Sequence, residues 1–254
     1  MTARHRRTTL LATALLLLSA AVRPAVAHAQ SGAGDGFLFH APQAALSLRL
    51  GRAWPSANSR VFDFTAQQLT LNRGHFAGFS AAADLDVTLT HRFALQLGAA
   101  VSSREAGSEY RDFVDNKDLP IEQRTTFERA PLTLGLKWFA KSPGRSLGRF
   151  AWVPSKFAPY VAGGVGMMYY RFHQTGDFVD FSNFDVFHST MESSGWTNMA
   201  YGATGVDYAL STRLGLLTEA RYERAHGPMS SDFVGFDRID LSGVSVTAGL
   251  HLRF

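Results

Sequence analysis

The last eleven residues of the chain alternate strictly between apolar and polar side chains. The apolar positions are Val244, Val246, Ala248, Leu250, Leu252 and Phe254. The positions between them are Ser245, Thr247, Gly249, His251 and Arg253. A period of two predicts a β-strand with two different faces. A polar face that carries an imidazole and a guanidinium is typical of a strand with lipid on one side and a barrel interior on the other.

Seven upstream segments repeat this alternation and predict seven further strands. They are residues 44–54, 79–89, 93–102, 129–138, 160–172, 196–209 and 214–223. Residues 90–92 and 210–212 are such short links that each predicts an antiparallel hairpin. The pattern therefore predicts an all-β fold, a transmembrane antiparallel up-and-down β-barrel of eight strands. The facing of residues 196–209 is ambiguous, and a bulge there is one explanation.

Aromatic residues mark both ends of the predicted strands. At the end that holds the chain termini they are Phe93, Trp138, Phe139, Tyr160, Tyr208 and Phe254. At the opposite end they are Trp54, Tyr169, Phe172, Trp196 and Tyr222. Two such girdles are typical of a barrel that crosses a membrane. A soluble eight-stranded sandwich is the alternative fold, but it explains neither the girdles nor the terminal Phe.

The N-terminus predicts a targeting segment. Arg4, Arg6 and Arg7 precede an apolar run over residues 10–22, and a small-residue cleavage site follows at residues 27–29. We interpret residues 1–29 as a signal peptide, residues 30–41 as a short periplasmic lead and residues 42–254 as the barrel domain. A retained membrane anchor is the alternative, but it would need about 20 apolar residues.

The charge balance changes once the leader is set aside. The whole chain has 25 basic and 21 acidic residues and no Cys, so it forms no disulfide. Residues 1–29 contain four Arg and no acid, which leaves equal numbers of basic and acidic residues in the predicted mature chain. The basic isoelectric point therefore belongs to the leader. Nucleic acid is excluded as a partner class because the predicted mature chain has no excess of basic residues.

The terminal strand that ends at Phe254, the leader and the eight-strand layout together resemble the small bacterial outer-membrane barrels of the OmpA, OmpX and OmpW type. No motif selects a subfamily. The resemblance implies a monomer in the cell outer membrane, with outer-membrane lipids and lipopolysaccharide as partners. It also implies recognition of the C-terminal strand by the barrel assembly machinery. The role that it implies is broad, structural or surface-interacting, with no cofactor.

The predicted inner face carries equal numbers of cations and anions. The cations are Arg49, Arg129, Lys137, Arg221 and Arg253. The anions are Asp84, Asp86, Asp207, Glu219 and Glu223. Because buried charges are tolerated only in pairs, we expect an ion-pair network that fills the interior. An ion or proton path is the alternative.

A lipid A-modifying barrel enzyme, an acyl hydrolase or acyltransferase, is one alternative function. His75, His173 and His226 lie near predicted extracellular strand ends, and Glu223, Ser230 and Ser231 are close to His226 in sequence. These residue types could supply a base, an orienting acid and a nucleophile. No spacing matches a known deacylase pattern, since His188 and Ser189 are adjacent, and no His pair has metal-ligand spacing. We therefore expect no catalytic, metal or cofactor residues. A carrier of small apolar ligands of the OmpW type is a further alternative, but the charged lumen disfavours it.

The predicted outer loops are acidic. Residues 55–75, 106–125, 173–195 and 225–240 sum to a charge of −7, whereas the 140–157 link carries +4. Asp115 and Asp118 hint at a cation, but the spacing of a calcium loop is missing. In residues 173–195 a Phe recurs at every third position, at 178, 181, 184 and 187. This period predicts a short helical turn that forms a lid over the barrel mouth, with a binding surface as the alternative.

Overall fold

The computed structural model describes residues 36–115, 117–148 and 150–254. The predicted signal peptide lies outside these residues. The described chain contains eleven strands and one α-helix, α1 (Arg60–Gln68). The strands are β1 (Ala44–Pro55), β2 (Gly78–Thr88), β3 (Phe93–Val114), β4 (Pro120–Phe139), β5 (Gly144–Leu147), β6 (Ala151–Pro154), β7 (Phe157–Val179), β8 (Val186–Ala209), β9 (Leu214–Pro228), β10 (Arg238–Asp240) and β11 (Gly243–Arg253). No helix among the described residues is long and apolar enough to span a membrane.

Eight of these strands form one closed antiparallel ring, in the order β1, β2, β3, β4, β7, β8, β9 and β11. The ring closes where β11 pairs with β1, in a register that places Leu252 opposite Leu46 and Leu250 opposite Leu48. The strict alternation of β11 fixes this register, because a slip of one residue would exchange its apolar and polar faces. The predicted all-β, eight-stranded, up-and-down barrel is confirmed.

The outer surface of the ring carries an apolar belt. Leu48, Leu134, Val165, Leu216 and Leu250 are each 43–63% exposed although every one of them lies within a strand of the ring. The belt spans about ten residues of β1, which matches the length of a transmembrane strand. Outward aromatic residues line both edges of the belt. At the edge near the chain termini, the lower edge, they are Phe93, Trp138, Tyr208 and Phe254. At the opposite edge, the upper edge, they are Trp54, Trp196 and Tyr222.

Three residues assigned to the girdles face inward instead. Phe139 is 7% exposed, Tyr160 is 2% exposed and Phe172 is fully buried. The pleat of the strand explains Phe139, because it follows the outward Trp138 and adjacent residues point to opposite faces. Tyr160 and Phe172 lie on the inner face of β7, so their placement in the girdles was wrong.

Two hairpins extend far beyond the belt on the side opposite the termini. β3 and β4 have 22 and 20 residues, and β7 and β8 have 23 and 24, whereas β1 and β2 have 12 and 11. The predicted loops 106–125 and 173–195 are therefore mostly strand, and residues 117–118 and 180–185 lie between the paired strands. Polarity misled the prediction, because strands above the membrane turn their outer face to water. We call this extracellular part the headpiece.

The first and last extracellular connections are also ordered. Residues 55–75 were predicted to be irregular, but they contain α1 and most of the 3-10 helix Arg73–Phe76. Residues 225–240 contain the end of β9, the 3-10 helix Ser231–Phe233 and β10, which pairs back onto β9. On the opposite side, the 140–157 link forms the β5–β6 hairpin.

The facing of β8 is resolved. Tyr201 and Asp207 are buried, whereas Tyr208 is exposed, so the odd-numbered residues of this strand face the interior. β8 pairs with β7 and β9 without any shift of register, so no bulge occurs there. The register shift lies instead between β3 and β4, in the headpiece at residues 109–114.

Candidate functional site

Four charged side chains occupy the centre of the barrel interior. Arg49 contacts Asp84, and its Nη1 lies 2.6 Å from Glu219 Oε1. Arg221 places its Nε 2.9 Å from Glu219 Oε1 and its Nη2 3.4 Å from Asp84 Oδ1. These side chains are at most 6% exposed. Two cations and two anions therefore neutralise one another at the level of the lipid belt, as buried charges require.

Neutral side chains fill the space around this group. The Tyr160 hydroxyl donates to Glu219 Oε2 at 2.8 Å, and Arg49 Nη1 donates to Thr247 Oγ1 at 3.1 Å. The Arg221 guanidinium lies 4.4 Å from the ring centroid of Tyr201. At Gly98 an added Cβ would lie 2.7 Å from Asp84 Oδ1, so no larger residue fits there without displacing the network. The cross-section is closed by side chains.

A second charged layer lies towards the end that holds the termini. Lys137 Nζ is 2.8 Å from Asp86 Oδ2 and 4.0 Å from the ring centroid of Tyr160. Asp207 Oδ1 lies 2.6 Å from His251 Nδ1, and Asp207 Oδ2 lies 3.9 Å from Arg253 Nη2. The predicted network of ten charges omitted His251. Its position on the polar face of the last strand was the signal that could have included it.

A third layer closes the top of the polar lumen. Arg129 Nη1 donates to the Leu241 carbonyl oxygen at 2.8 Å and lies 3.9 Å from Glu223 Oε2. A cavity of about 20 Å³ adjoins this pair, with Ser80, Ser102 and Ser245 in its walls. That volume holds one water molecule. All ten predicted lumen charges thus have a partner of opposite sign, and the expected ion-pair network is confirmed.

Above Arg129 the inner face of the barrel becomes aromatic. Phe62 of α1 is fully buried, and its ring centroid lies 4.9 Å from that of Phe76, 5.3 Å from Phe127 and 5.6 Å from Phe172. Phe233 packs on Phe172 at 5.5 Å. We call these five residues the aromatic plug. Edge-to-face rings add stabilisation to the burial of their surface. Sequence reasoning missed the plug, although Val61, Phe62 and Thr65 have the spacing of one helix face.

Hydrogen bonds hold the plug segments together. Asp240, which is 3% exposed, accepts the Asn58 amide at 3.0 Å through Oδ2 and the Ser242 amide at 2.9 Å through Oδ1. The Asp240 amide donates to Ser59 Oγ at 3.1 Å, and the Ser56 amide donates to the Ser242 carbonyl oxygen at 2.8 Å. The first and last extracellular connections are thereby joined across the mouth.

The Phe-rich segment does not form the predicted helical turn. Phe178 and Phe187 are cross-strand partners in the β7–β8 hairpin, with stacked rings 6.0 Å apart, and Phe181 and Phe184 lie in its turn. Their period of three reflects the symmetry of a hairpin about its turn, not a helix. The mouth is covered by the plug segments, so the assignment of the lid to residues 173–195 was wrong.

Five other rings form a row at the tip of the headpiece. We call Phe64, Phe113, Phe181, Phe184 and Phe236 the tip rings. Phe64 lies 5.5 Å from Phe236 and 6.5 Å from Phe181, between ring centroids. Phe113 lies 5.8 Å from Phe181 and stacks on Phe184 at 6.0 Å. The row joins four extracellular segments. Phe64, Phe181 and Phe184 are exposed, whereas Phe113 and Phe236 are half-buried and pack against the hydrophobic core.

The candidate catalytic residues are not brought together. His226 and Glu223 are three residues apart on β9, so they face opposite sides of the sheet. His226 Nε2 lies 3.6 Å from Asp240 Oδ1, and the Ser230 hydroxyl donates to the Glu192 carbonyl oxygen at 2.5 Å. Ser231 opens a separate 3-10 helix.

The other predicted histidines take local roles. His75 Nδ1 accepts the Asn72 amide at 3.0 Å, and His188 Nδ1 lies 2.9 Å from Asp177 Oδ1. His173 lies on β7, directly after the buried Phe172. Among the described residues, no three His, Asp or Glu side chains are arranged to hold a metal ion. At the Asp115 turn the carboxylate accepts the amides of Lys117 and Leu119, both at 2.8 Å, and these bonds lower the pKa of Asp115.

Comparison with known proteins does not narrow the role of this chain. No family model matches the chain, and no curated protein matches its sequence. Among solved structures, it is similar to Neisserial surface protein A at 13% identity, with a TM-score of 0.46, over 87% of this chain and 98% of the other. It is similar to the outer membrane protein OprG of Pseudomonas aeruginosa at 16% identity, with a TM-score of 0.44, over 85% of this chain and 99% of the other. It is similar to the outer membrane protease OmpT of Escherichia coli at 12% identity, with a TM-score of 0.31, over 86% of this chain and 98% of the other.

The closed ring, the lipid-facing belt and the polar interior are those of a bacterial outer-membrane β-barrel. A fold of this kind does not determine a function, so the lumen and the headpiece of this chain carry the evidence for its role.

Proposed function

We propose that this chain is a closed outer-membrane barrel that presents its headpiece to the cell exterior as an interaction surface. In this role the membrane part anchors and the headpiece binds. The chain is then neither a conduit for solutes nor an enzyme. No cofactor is required.

The observation that carries this proposal is the filling of the barrel from one end to the other. Three layers of paired charges, with Arg49, Lys137 and Arg129 among their cations, leave a cavity of about 20 Å³ beside the uppermost layer. The aromatic plug then covers the top. A hydrated ion or a sugar has no route through such an interior, whereas four strands of 20 to 24 residues support an extensive outer surface.

Planar bilayer recording tests the closed barrel. The full chain, refolded into lipid, should give no stable unitary current above that of the lipid alone. A matched variant with Phe62, Phe76 and Phe127 all changed to Ser removes part of the plug but keeps the ion pairs, and it should also stay silent. Large, stable conductance steps in the wild-type protein would contradict the proposal.

The enzyme alternative has its own test. A lipid A-modifying barrel would change the acyl chains of lipid A, so mass spectra of lipid A from cells with and without the gene should be identical under the proposal. His226 and Glu223 face opposite sides of β9, and the Ser230 hydroxyl is bonded to the Glu192 carbonyl oxygen, which supports this expectation. A shift by the mass of one acyl chain would replace the surface role with the enzymatic one.

Assembly at the outer membrane depends, in this proposal, on the terminal residue. The Phe254 carbonyl oxygen accepts the amides of Gln43 and Ala44 at 2.9 and 3.0 Å, and the ring is 53% exposed at the lower edge of the belt. An exposed terminal ring is available to the barrel assembly machinery. Deletion of Phe254 should leave a secreted chain that does not fractionate with the outer membrane. Normal insertion of that variant would contradict this partner.

A further inference from the structure

We propose that the tip rings bind a cationic peptide segment in which Lys or Arg side chains alternate with apolar ones. This inference rests on the proposed surface role and names the chemistry of the partner. The site is the row of rings at the outermost end of the headpiece, together with the carboxylates beside them.

The rings form one continuous apolar strip. Starting from the last extracellular connection, Phe236 contacts Phe64 of α1, Phe64 contacts Phe181 of the β7–β8 turn, and Phe181 contacts Phe113 of β3, which stacks on Phe184. Centroid distances of 5.5 to 6.5 Å place each ring in contact with the next. Because four separate segments contribute, the strip depends on the folded headpiece and not on one flexible loop.

Three of the five tip rings are exposed, whereas Phe113 and Phe236 are half-buried against the hydrophobic core. Phe64 is 41% exposed, Phe181 is 47% and Phe184 is 65%, on the water side of the barrel and far from the lipid belt. Contiguous apolar surface of this kind on a soluble face marks an interaction site. Phe184 also has a φ of 62°, in the left-handed region that bulky side chains rarely adopt. A Gly or Asn would fit that turn at a lower cost, so the turn alone does not explain the ring.

Every tip ring has an Asp as a direct neighbour in the chain. The pairs are Asp63 and Phe64, Asp112 and Phe113, Asp180 and Phe181, Phe184 and Asp185, and Phe236 and Asp237. Asp63 is neutralised by Arg73 at 2.6 Å and Asp237 lies 3.6 Å from Arg60. Within the part of the chain that the structure describes, no ion pair neutralises Asp112, Asp180 or Asp185. Asp180 and Asp185 therefore add uncompensated negative charge to the β7–β8 turn that carries Phe181 and Phe184.

This combination selects the partner. Carboxylates beside aromatic faces attract ammonium and guanidinium groups, and the faces themselves add cation–π attraction. Apolar side chains between the cations would cover the rings. The same carboxylates repel phosphates, so a nucleic acid or an anionic lipid surface does not fit the strip.

Peptide binding to the full chain in nanodiscs of zwitterionic lipid tests the proposal. The probe is a labelled twelve-residue peptide of alternating Lys and Leu, read by fluorescence anisotropy against empty nanodiscs. Binding should be specific to the protein and should weaken as salt rises. F181S/F184S should weaken it at least tenfold. D180N/D185N, which keeps the size of each side chain and an acceptor oxygen, should weaken it several-fold and flatten the salt dependence.

Two controls make the outcome decisive. F39S/F150S removes two exposed rings far from the headpiece in sequence, 64% and 68% exposed, and should leave the affinity within twofold. The same peptide with Glu in place of Lys should not bind. Equal binding of the Lys peptide by the wild type and all three variants would overturn the proposal, and so would equal binding of the Glu peptide. The proposal would also be overturned if the tip rings bound zwitterionic vesicles tightly and did not bind the Lys peptide. A barrel that stays silent in bilayers but fails to bind the peptide would refute this inference alone.

Discussion

The membrane part and the headpiece of this barrel have opposite arrangements of polar and apolar residues along the same strands. On β4, the inner face carries Lys137 and Arg129 at the level of the belt and Phe127 just above it. The outer face changes in the reverse sense, from Leu134 to Glu122. In lipid the polar groups turn inward and pair with one another, whereas in water the aromatic groups turn inward.

This inversion shows that strand geometry and side-chain placement are set by different forces. The ring of backbone hydrogen bonds continues through both regions, since β4 and β7 stay in register from Phe139 to Gln123. The solvent around the ring decides which side chains face inward. The membrane core is held by ion pairs and hydrogen bonds, and the headpiece core is held by burial of rings.

The largest expected effect comes from the ion-pair core. Glu219→Ala removes the acceptor shared by Arg49, Arg221 and Tyr160, so it should lower the free energy of unfolding by about 3 to 5 kcal/mol. Urea unfolding in lipid vesicles, followed by heat-modifiable gel mobility, measures it. Glu122→Ala is the control, since Glu122 is exposed in the headpiece and should change stability by less than about 0.5 kcal/mol. Equal effects of the two substitutions would contradict the paired lumen.

The plug should respond locally. Phe62→Ala opens a cavity in the headpiece core and should cost about 3 kcal/mol there, while the membrane part keeps its midpoint of unfolding. Protease cutting within residues 56–77 of the folded protein should become much faster. Phe64→Ala changes the same residue type on the same helix at a 41% exposed position and should leave cutting nearly unchanged. Unfolding of the whole barrel at a lower urea concentration in the Phe62 variant would show that the two regions are not separate.

A smaller effect is expected at Asp240, whose hydrogen bonds join the first and last extracellular connections. Asp240→Ala leaves the amides of Asn58 and Ser242 without their acceptor and should cost about 1 to 3 kcal/mol in the headpiece. Hydrogen exchange of the Asn58 amide should speed up accordingly. Asp237→Ala, three residues earlier and exposed, should not affect it. Unchanged hydrogen exchange of the Asn58 amide in the Asp240 variant would contradict this role of Asp240.

The smallest effect is a response to acid at the tip. The hydroxyl and amide of Ser182 donate to Asp180 and lower the pKa of that carboxyl. A lowered pKa contributes stability above the ordinary value of about 3.9, and this contribution is lost as the pH falls through the lowered pKa. The Ser182 amide signal in NMR spectra should therefore shift below pH 4 in the wild type. Asp180→Asn should abolish the shift, and a shift that persists would exclude this hydrogen bond as its cause.

The sequence predicts the membrane part better than the headpiece. In β11 and the seven other strands of the ring, apolar residues that face lipid alternate with polar residues that face the interior. The ring and the ten lumen charges could therefore be predicted from this alternation. The headpiece strands lack that contrast, because water meets their outer face and mixed residues line their inner face. Residues 106–125 and 173–195 therefore resembled loops.

The aromatic plug and the tip rings could not be predicted from the sequence for a different reason. Phe62, Phe127, Phe172 and Phe233 come from four distant segments, and nothing local indicates that they meet. The Asp–Phe neighbours can be read from the sequence, but only the fold aligns Phe64, Phe113 and Phe181 in one row. Local periodicity even misled at Phe178 and Phe187, which are cross-strand partners in a hairpin.

Site-specific fluorescence quenching tests the inversion most directly, because the chain has no Cys and accepts single labels cleanly. Leu134→Cys and Glu122→Cys place a bimane label on the outer face of the same strand, twelve residues apart, roughly 40 Å along the strand. We predict that brominated lipid quenches the label at 134 and that aqueous iodide quenches the label at 122. Quenching of both labels by lipid, or of both by iodide, would contradict the boundary between the membrane part and the headpiece.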